Sequence, residues 1–541
     1  MRILGRGGVE VAIAAFFLAL AAVATRPLVL HADSTTIAGY DPLTHLWTIH
    51  WLVEHFFDRA QIFQGNTYHP EPHAVLYTEI DLGTVVLLLP FRHFLRDPVP
   101  LFNAGTLLAL AFGAWSFHLL VRSLTGQVLP GIAGGVLAGF SSNQIRHIPH
   151  VDVLTIGWLA LFLLCLHRIA AGGSWIFVPL CAGSFALTMQ SSGYSGVAAG
   201  FLALVLPVVF PREALRPPAL LKFSAATVLC VLLLAPYARA FLSLRARGTL
   251  HRGLGFSEHL SFHPTEDLGS KSLLWGALLG RRGECLFPGV LCLSLAGFAL
   301  VRPRRREALY YALGGLVLVL VSLGPRVAVG RFSLWLPYRL LVSFPPLDSM
   351  RHPQSFAGIA LLDLAVLAGL GLAKLRPGPV LGAAFVAAAV LETLAPAPRL
   401  QDVPRGVPPI YSLLEALPPG PVLEVPVFAD EVLLFAARVD RPFVNGQLSS
   451  LVPRATWQLD DFIAKNWLRT TPYAIDRSNS SFFFDNYDVR YLVLPRGRIS
   501  LEGMGALTRS MERSPCFSRV AQSPDGDRIY EVRSWRPNDG D

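Results

Sequence analysis

The residues best suited to chemistry gather in the polar interval from His31 to Pro90, between the first two apolar runs. Asp41, Glu79 and Asp81 are carboxylates close to where the flanking apolar segments would enter a bilayer, and His45 accompanies them. A carboxylate at a membrane face is costly to desolvate, so it marks substrate or ion chemistry. These three are the candidate catalytic acids. A second group is cationic: Arg146, His147 and His150 in one segment, Arg351 and His352 in another. A pocket with an acid on one wall and Arg and His on the other suits a phosphate-linked substrate, because these cations make charge-assisted hydrogen bonds to phosphate oxygens. Substrate or phosphate binding therefore falls to His45, Arg146, His147, His150, Arg351 and His352. For any one of these cations the plainer reading is an anchor to lipid headgroups. For Asp41, followed by Pro42, it is the N-cap of a helix.

The elements that must position these residues are membrane elements. The chain has 541 residues, 52% of them hydrophobic and only 15% charged, with a mean hydropathy of +0.47. Soluble domains carry about 25% charged residues. The net charge of +9 could suggest nucleic acid, but the basic residues are scattered between apolar runs, as positive-inside loops would be. Six cysteines lie far apart with no CxxC pattern, so neither a metal nor a redox site is indicated. A divalent cation is compatible with the chain, and cofactors stay open.

Arg2 and Arg6 precede the run Val9–Ala24, which reads as a first membrane helix or as a signal peptide; either way the loop 31–100 is extracytoplasmic. Asp41-Pro42 opens a helical pattern from Leu43 to Phe57 with Trp47 and Trp51, expected to lie on the outer membrane surface. Leu82–Leu95 is short and contains Arg92 and His93, so it is expected not to cross. The remaining runs are Leu101–Val121, Val128–Phe140, Val151–Leu166, Trp175–Met189, Val197–Phe210, Phe223–Ala240, Leu286–Leu300, Leu309–Leu323, Phe356–Ala373 and Val380–Leu394. With the first they make about eleven spans and leave the basic stretch Arg302–Arg306 inside. The exceptions fall in one long outer loop, Arg245–Arg282. Asp363 and Glu392, within apolar runs, are expected to make structural hydrogen bonds.

A Pro-rich linker follows residue 396. Pro421–Val427 and Tyr487–Leu494 read as strands, Ile410–Leu417 and Thr456–Leu468 as helices, and Arg519–Val532 as a hairpin turning at Pro524-Asp525-Gly526. The expected architecture is an α-helical polytopic membrane domain, 1–396, and a small extracytoplasmic α/β domain, 397–541. The tail carries no Walker, GxSxG or metal-ligand motif.

Four stretches carry a resemblance: GYDPLTHLW, YHPEPHAVLYTEIDLG, FSSNQIRHIPHVDVLTIGWLALFLLCLHR and RHPQSFAGIALLDLAVLAGLGLA. In this order the chain resembles the GT-C superfamily of polytopic membrane glycosyltransferases, in a bacterial branch related to protein O-mannosyl- and aminoarabinose transferases. The resemblance implies a donor sugar on a polyprenyl phosphate and a glycan, lipid or protein acceptor. It also implies an acid in the first extracytoplasmic loop that binds or deprotonates that acceptor, and Asp41 is the matching position. Relatives often show an Asp-Glu pair where Pro42 follows here, so Glu79 or Asp81 would fill the second acidic role. The implied location is the cell (inner) membrane. The competing reading is a non-enzymatic transporter or assembly factor for lipid-linked glycans.

Overall fold

The computed structural model describes residues 7–39, 41–247, 288–301, 306–329, 332–344, 350–394, 396–427, 431–446, 487–495, 501–514 and 516–533, with a few positions between these. Most of the predicted loop Arg245–Arg282 and most of the predicted helix Thr456–Leu468 lie outside the described residues.

Helices occur in all eleven of the predicted apolar segments. Five are long and apolar enough to cross a bilayer: Gly7–Ala24, Pro98–Thr125, Val151–Ala170 (taken across a break at Thr155), Pro217–Ala246 and Ser355–Leu375. The other six run from 11 to 17 residues, short of the roughly 20 that a span needs. Length and composition thus establish five of the expected spans among the described residues, and the chain is a multi-pass membrane protein. Leu82–Leu95 forms a seven-residue α-helix, Leu82–Leu88, and a single 3-10 turn, Leu89–Phe91.

Local signals explain the longest elements. Asp97 accepts a hydrogen bond from the Val99 amide at 2.9 Å and so caps Pro98–Thr125, with Pro98 as its first residue. Gly126, at φ 76°, ends that helix in the left-handed region that glycine enters without strain. Ser355–Leu375 is buried along most of its length; it packs against the helices Val290–Leu300 and Arg306–Ser322. Glu392 accepts from the amides of Leu291 (2.8 Å) and Cys292 (3.3 Å), capping the first of these two. That is the structural hydrogen bond expected of it. Asp363 is buried, but its Oδ2 has no hydrogen-bond partner among the described residues.

Eight strands are described: β1 Thr35–Ile37, β2 Arg326–Val329, β3 Phe332–Trp335, β4 Leu400–Asp402, β5 Val422–Glu424, β6 Tyr491–Leu494, β7 Phe517–Gln522 and β8 Arg528–Val532. In the tail the order is β5-β6-β8-β7, with β5 and β6 parallel and the other pairs antiparallel. The predicted hairpin is β7–β8; the Gly526 amide closes its turn on the Ser523 carbonyl.

The tail and the first loop are interleaved. β1 pairs antiparallel with β4. The Phe443 amide donates to the Asn66 carbonyl at 2.7 Å, and the amides of Tyr68 and His69 donate to Asn445 and Phe443. Apolar side chains of Pro42–Glu54 pack with those of the tail helix Glu431–Arg438 in one hydrophobic cluster. Trp47 is fully buried there and gives its indole N–H to Asn66 Oδ1 at 2.8 Å; Asn66 Nδ2 donates to the Ala436 carbonyl at 2.7 Å. The helix predicted to rest on the membrane surface is therefore a core helix of the loop, covered by the tail.

Candidate active site

One cavity of about 280 Å³ takes its polar residues from five separate stretches of chain, and Leu286 from a sixth. Asp41 and His45 come from the helix Pro42–Glu54 and the residue before it, one turn apart and hence on one face. Glu79 precedes Leu82–Leu88. Arg146, His147, His150 and Asp152 come from two short helices and their junction, Ser142–Arg146 and Val151–Leu154. Tyr194 starts Gly193–Val209, and Arg351 and His352 precede Ser355–Leu375.

Asp41 stands at the N-cap position, yet its side chain makes no capping hydrogen bond. It faces His150, with Oδ2 3.2 Å from Nδ1. The hydrogen bond from His150 holds the Asp41 carboxyl below its ordinary range; partial burial opposes this, and the charges of His150, His45 and Arg351 add to it. Asp41 is therefore ionised at neutral pH, and capping does not account for it.

Asp81 is a correction to the sequence reading. It is fully buried and does not line the cavity. It sits behind His45, whose Nδ1–H donates to Asp81 Oδ2 at 2.7 Å. Burial disfavours the His45 cation, but the Asp81 charge and hydrogen bond outweigh it, helped by Asp152 and Asp41, and raise its pKa to about 10. Asp81 is at φ 48°, a left-handed conformation that aspartate tolerates better than most residues. A clamp two residues on holds that backbone. The Gly83 amide donates to Ser191 Oγ at 2.8 Å, and Trp158 Nε1 donates to the Gly83 carbonyl at 3.1 Å. A Cβ at Gly83 would lie 2.5 Å from Ser191 Oγ, so only glycine allows this approach.

The cationic wall is also held from behind. The Tyr194 hydroxyl accepts from the backbone amides of Arg351 (2.8 Å) and His352 (2.9 Å). This fixes the strand of chain that carries both side chains into the cavity. His147 Nδ1 donates to the Asn143 carbonyl at 2.8 Å. Asp41, Glu79, His45, Arg146, His147, His150, Arg351 and His352 thus share one cavity, and Asp81 supports it from outside.

Asp152 and Tyr194 were not singled out as site residues from sequence. Asp152 Oδ1 lies 3.6 Å from His45 Nε2, across more than a hundred residues of chain, and no local pattern announces such a pair. With His45 and His150 it forms a group whose ligand atoms lie within 4.8 Å of one another, close enough to hold a metal ion. His45 would then be neutral, with its Nε2 freed of the proton and its ring held by the Nδ1–H bond to Asp81 behind it. The sequence spacing of these three gives no hint of this.

No family model matches the chain, and no curated protein matches it. Solved structures do share its fold. The arabinofuranosyltransferase AftD from mycobacteria aligns with a TM-score of 0.57 at 15% identity, over 97% of this chain and 40% of that one. A mutant of the same enzyme gives 0.60 at 15% identity, over 98% and 41%. The oligosaccharyltransferase of Archaeoglobus fulgidus, 12% identical, aligns at 0.46 over 97% of this chain and 74% of that one. The chain therefore shares the fold of this membrane arabinofuranosyltransferase. This chain spans about two fifths of the length of AftD.

Proposed function

We propose that this protein is a membrane glycosyltransferase of GT-C type. It moves a sugar from a polyprenyl-phosphate donor to a hydroxyl of an envelope glycan, lipid or protein on the extracytoplasmic face of the cell membrane. The observation that carries this reading is the ionised Asp41 facing, across one cavity, the guanidinium cations of Arg351 and Arg146 and the imidazoles of His352 and His147. The acceptor oxygen forms a bond to the anomeric carbon while the bond from that carbon to the phosphate oxygen breaks. The acceptor proton passes to Asp41, and the electron pair leaves with the polyprenyl phosphate. A carboxylate below its ordinary range is a weak base, so it takes the proton late, once bond formation has made the acceptor hydroxyl acidic. The cations stabilise the charge that grows on the leaving phosphate, a contribution that a water-excluded site strengthens. Glu79, on the same cavity, fills the second acidic role by accepting hydrogen bonds from acceptor hydroxyls. Asp81 keeps His45 charged and oriented. A divalent cation held by His45, His150 and Asp152 would displace the proton on His45 Nε2 and put its own positive charge beside the leaving phosphate.

The test is lipid analysis of a strain lacking the protein. One polyprenyl-phosphate sugar should accumulate, and one envelope glycan, lipid or protein should lack a single sugar. Loss of a whole exported glycan with no donor accumulating would instead indicate a transporter or assembly factor.

A further inference from the structure

A cavity of about 940 Å³ lies on the other side of the helix Pro42–Glu54 from the candidate active site and shares no residue with it. His50, Trp51 and Glu54 line it from the helix face turned away from Asp41 and His45. The first loop adds Arg92 and Arg96, and the tail closes it with Gly406 and Asp440, so the cavity forms where loop and tail meet. Asp97 and Arg438, also on its wall, satisfy each other, with Nε and Nη2 each 3.1 Å from the carboxylate. The side chains of Arg96, Glu54 and Asp440 make no hydrogen bond or ion pair among the described residues. His50 Nε2 donates to the Arg96 carbonyl at 3.2 Å, and burial holds its pKa below the ordinary value. The ring is therefore neutral, and its Nδ1 remains an acceptor. Two cations and a set of acceptors thus line one space. Bilayer adjoins it. Phe57 and Phe94 are 70% and 83% exposed, Phe91 is exposed beside them, and Arg92 lies 4.8 Å over the Phe57 ring. Such an apolar patch on a loop next to a span enters the membrane interface. The helix Pro98–Thr125 rises about 42 Å, against a hydrocarbon core of about 30 Å. With its middle in the bilayer, its Asp97 end stands among the headgroups.

We propose that this cavity binds the headgroup of a zwitterionic aminophospholipid, with the phosphate on Arg92 and Arg96 and the ammonium on Glu54, Asp440 and His50 Nδ1. The acyl chains leave past Phe91 and Phe94 into the bilayer. A purely anionic headgroup would set its charge beside two carboxylates and leave both without a cation. A neutral glycan would leave both guanidinium groups without an anion. A ligand that carries both charges satisfies both sets, and the mismatch excludes the others. Because loop and tail each supply walls, a bound headgroup favours the closed junction between them by mass action and ties the tail to the membrane.

The experiment uses the full chain, delipidated in detergent, with phosphatidylethanolamine, phosphatidylcholine or phosphatidylglycerol added back. Retained lipid is read by native mass spectrometry beside a thermal melt. Phosphatidylethanolamine should be retained and should raise the melting temperature. Phosphatidylcholine, whose ammonium has no N–H, should bind at least about tenfold more weakly, the effect of losing a hydrogen bond to a charged group. Phosphatidylglycerol should bind more weakly as well. Glu54→Gln should weaken phosphatidylethanolamine by a similar factor without weakening phosphatidylglycerol, and Arg96→Gln should weaken both. Phosphatidylglycerol bound as tightly as phosphatidylethanolamine would reduce the site to a basic patch and overturn the proposal. Three lipids bound alike and indifferent to both variants would mean ordinary boundary lipid, and would overturn it too. So would a soluble neutral oligosaccharide that binds there and resists displacement by phosphatidylethanolamine. Where Glu54→Gln lowers the melting temperature of the lipid-free protein, Asp440→Asn, at an exposed side chain, decides the same question.

Discussion

Asp41→Asn separates a catalytic carboxylate from a structural one. The structure limits the structural loss closely. The Asp41 side chain makes no capping hydrogen bond, and asparagine is among the best N-cap residues in any case. Its partner His150 has 40% of its side chain exposed, and Asp41 itself 26%. A pair so open to water contributes roughly 0.2–1 kcal/mol, so the melting temperature should fall by less than about 3 °C. The chemical loss is larger. Removing a general base costs at least about a hundredfold, equivalent to ~2.7 kcal/mol of transition-state stabilisation. The assay is sugar transfer from a labelled polyprenyl-phosphate donor by the purified protein in nanodiscs, beside a thermal melt of the same sample. Asp97→Asn is unsuitable as a control, since Asp97 caps the longest of the central helices and pairs with Arg438 at 3.1 Å. Asp33→Asn serves instead, because the Asp33–Arg405 pair is two-thirds exposed on both sides. Turnover within about threefold of wild type, in a protein that melts normally, would refute the assignment of Asp41 as base.

The pH profile should follow from the lowered Asp41 pKa: activity is present above the folded value and lost as pH falls through it, so the acid limb lies below the ordinary carboxylate range. His150→Gln removes the largest cause of that lowering, and the limb should move upward in pH. Gly83→Ala should cost roughly 1–3 kcal/mol of stability by overpacking, read as a lower melting temperature, because the new methyl meets Ser191 and Trp158. Arg438→Ala removes the Asp97 pair and hydrogen bonds to the Pro404 and Gly406 carbonyls. It should cost about 1.5–3 kcal/mol and speed protease cleavage in the tail. Mn²⁺ at a hundred times its dissociation constant should stabilise the cation-free protein by about 2.7 kcal/mol, and Asp152→Asn should abolish the shift.

Reading residue types at segment ends recovered most of one wall and most of the other, because polar groups that flank apolar runs converge on the same end of a helix bundle. It failed where a partner lies far along the chain. Asp81 carries the same charge and the same location in the loop as Glu79, but a left-handed turn directs it behind His45. The period of Pro42–Glu54 was legible, and its apolar face was real. Lipid was the wrong partner for it, since the sequence does not reveal that Glu431–Arg438 returns to cover that face. Hydropathy located the apolar helices, and five of them are long and apolar enough by themselves to cross a bilayer.

The pairing of the first loop with the tail also has a consequence for the newly made chain. Asn66 waits for Ala436, 370 residues downstream, and at roughly 5–20 residues per second that is an interval of about 20–75 s. Throughout it, the face of Pro42–Glu54 that packs on Glu431–Arg438 and the edge of β1 that pairs with β4 lack the tail that covers them. Most of the membrane helices are synthesised while this loop stands open. Biogenesis therefore needs either a holdase on the side of the membrane where the loop lies or a loop that stays unfolded until the last quarter of the protein has been made. A ribosome stalled just before residue 400 should leave a first loop that proteases cut readily, and release past residue 446 should close it.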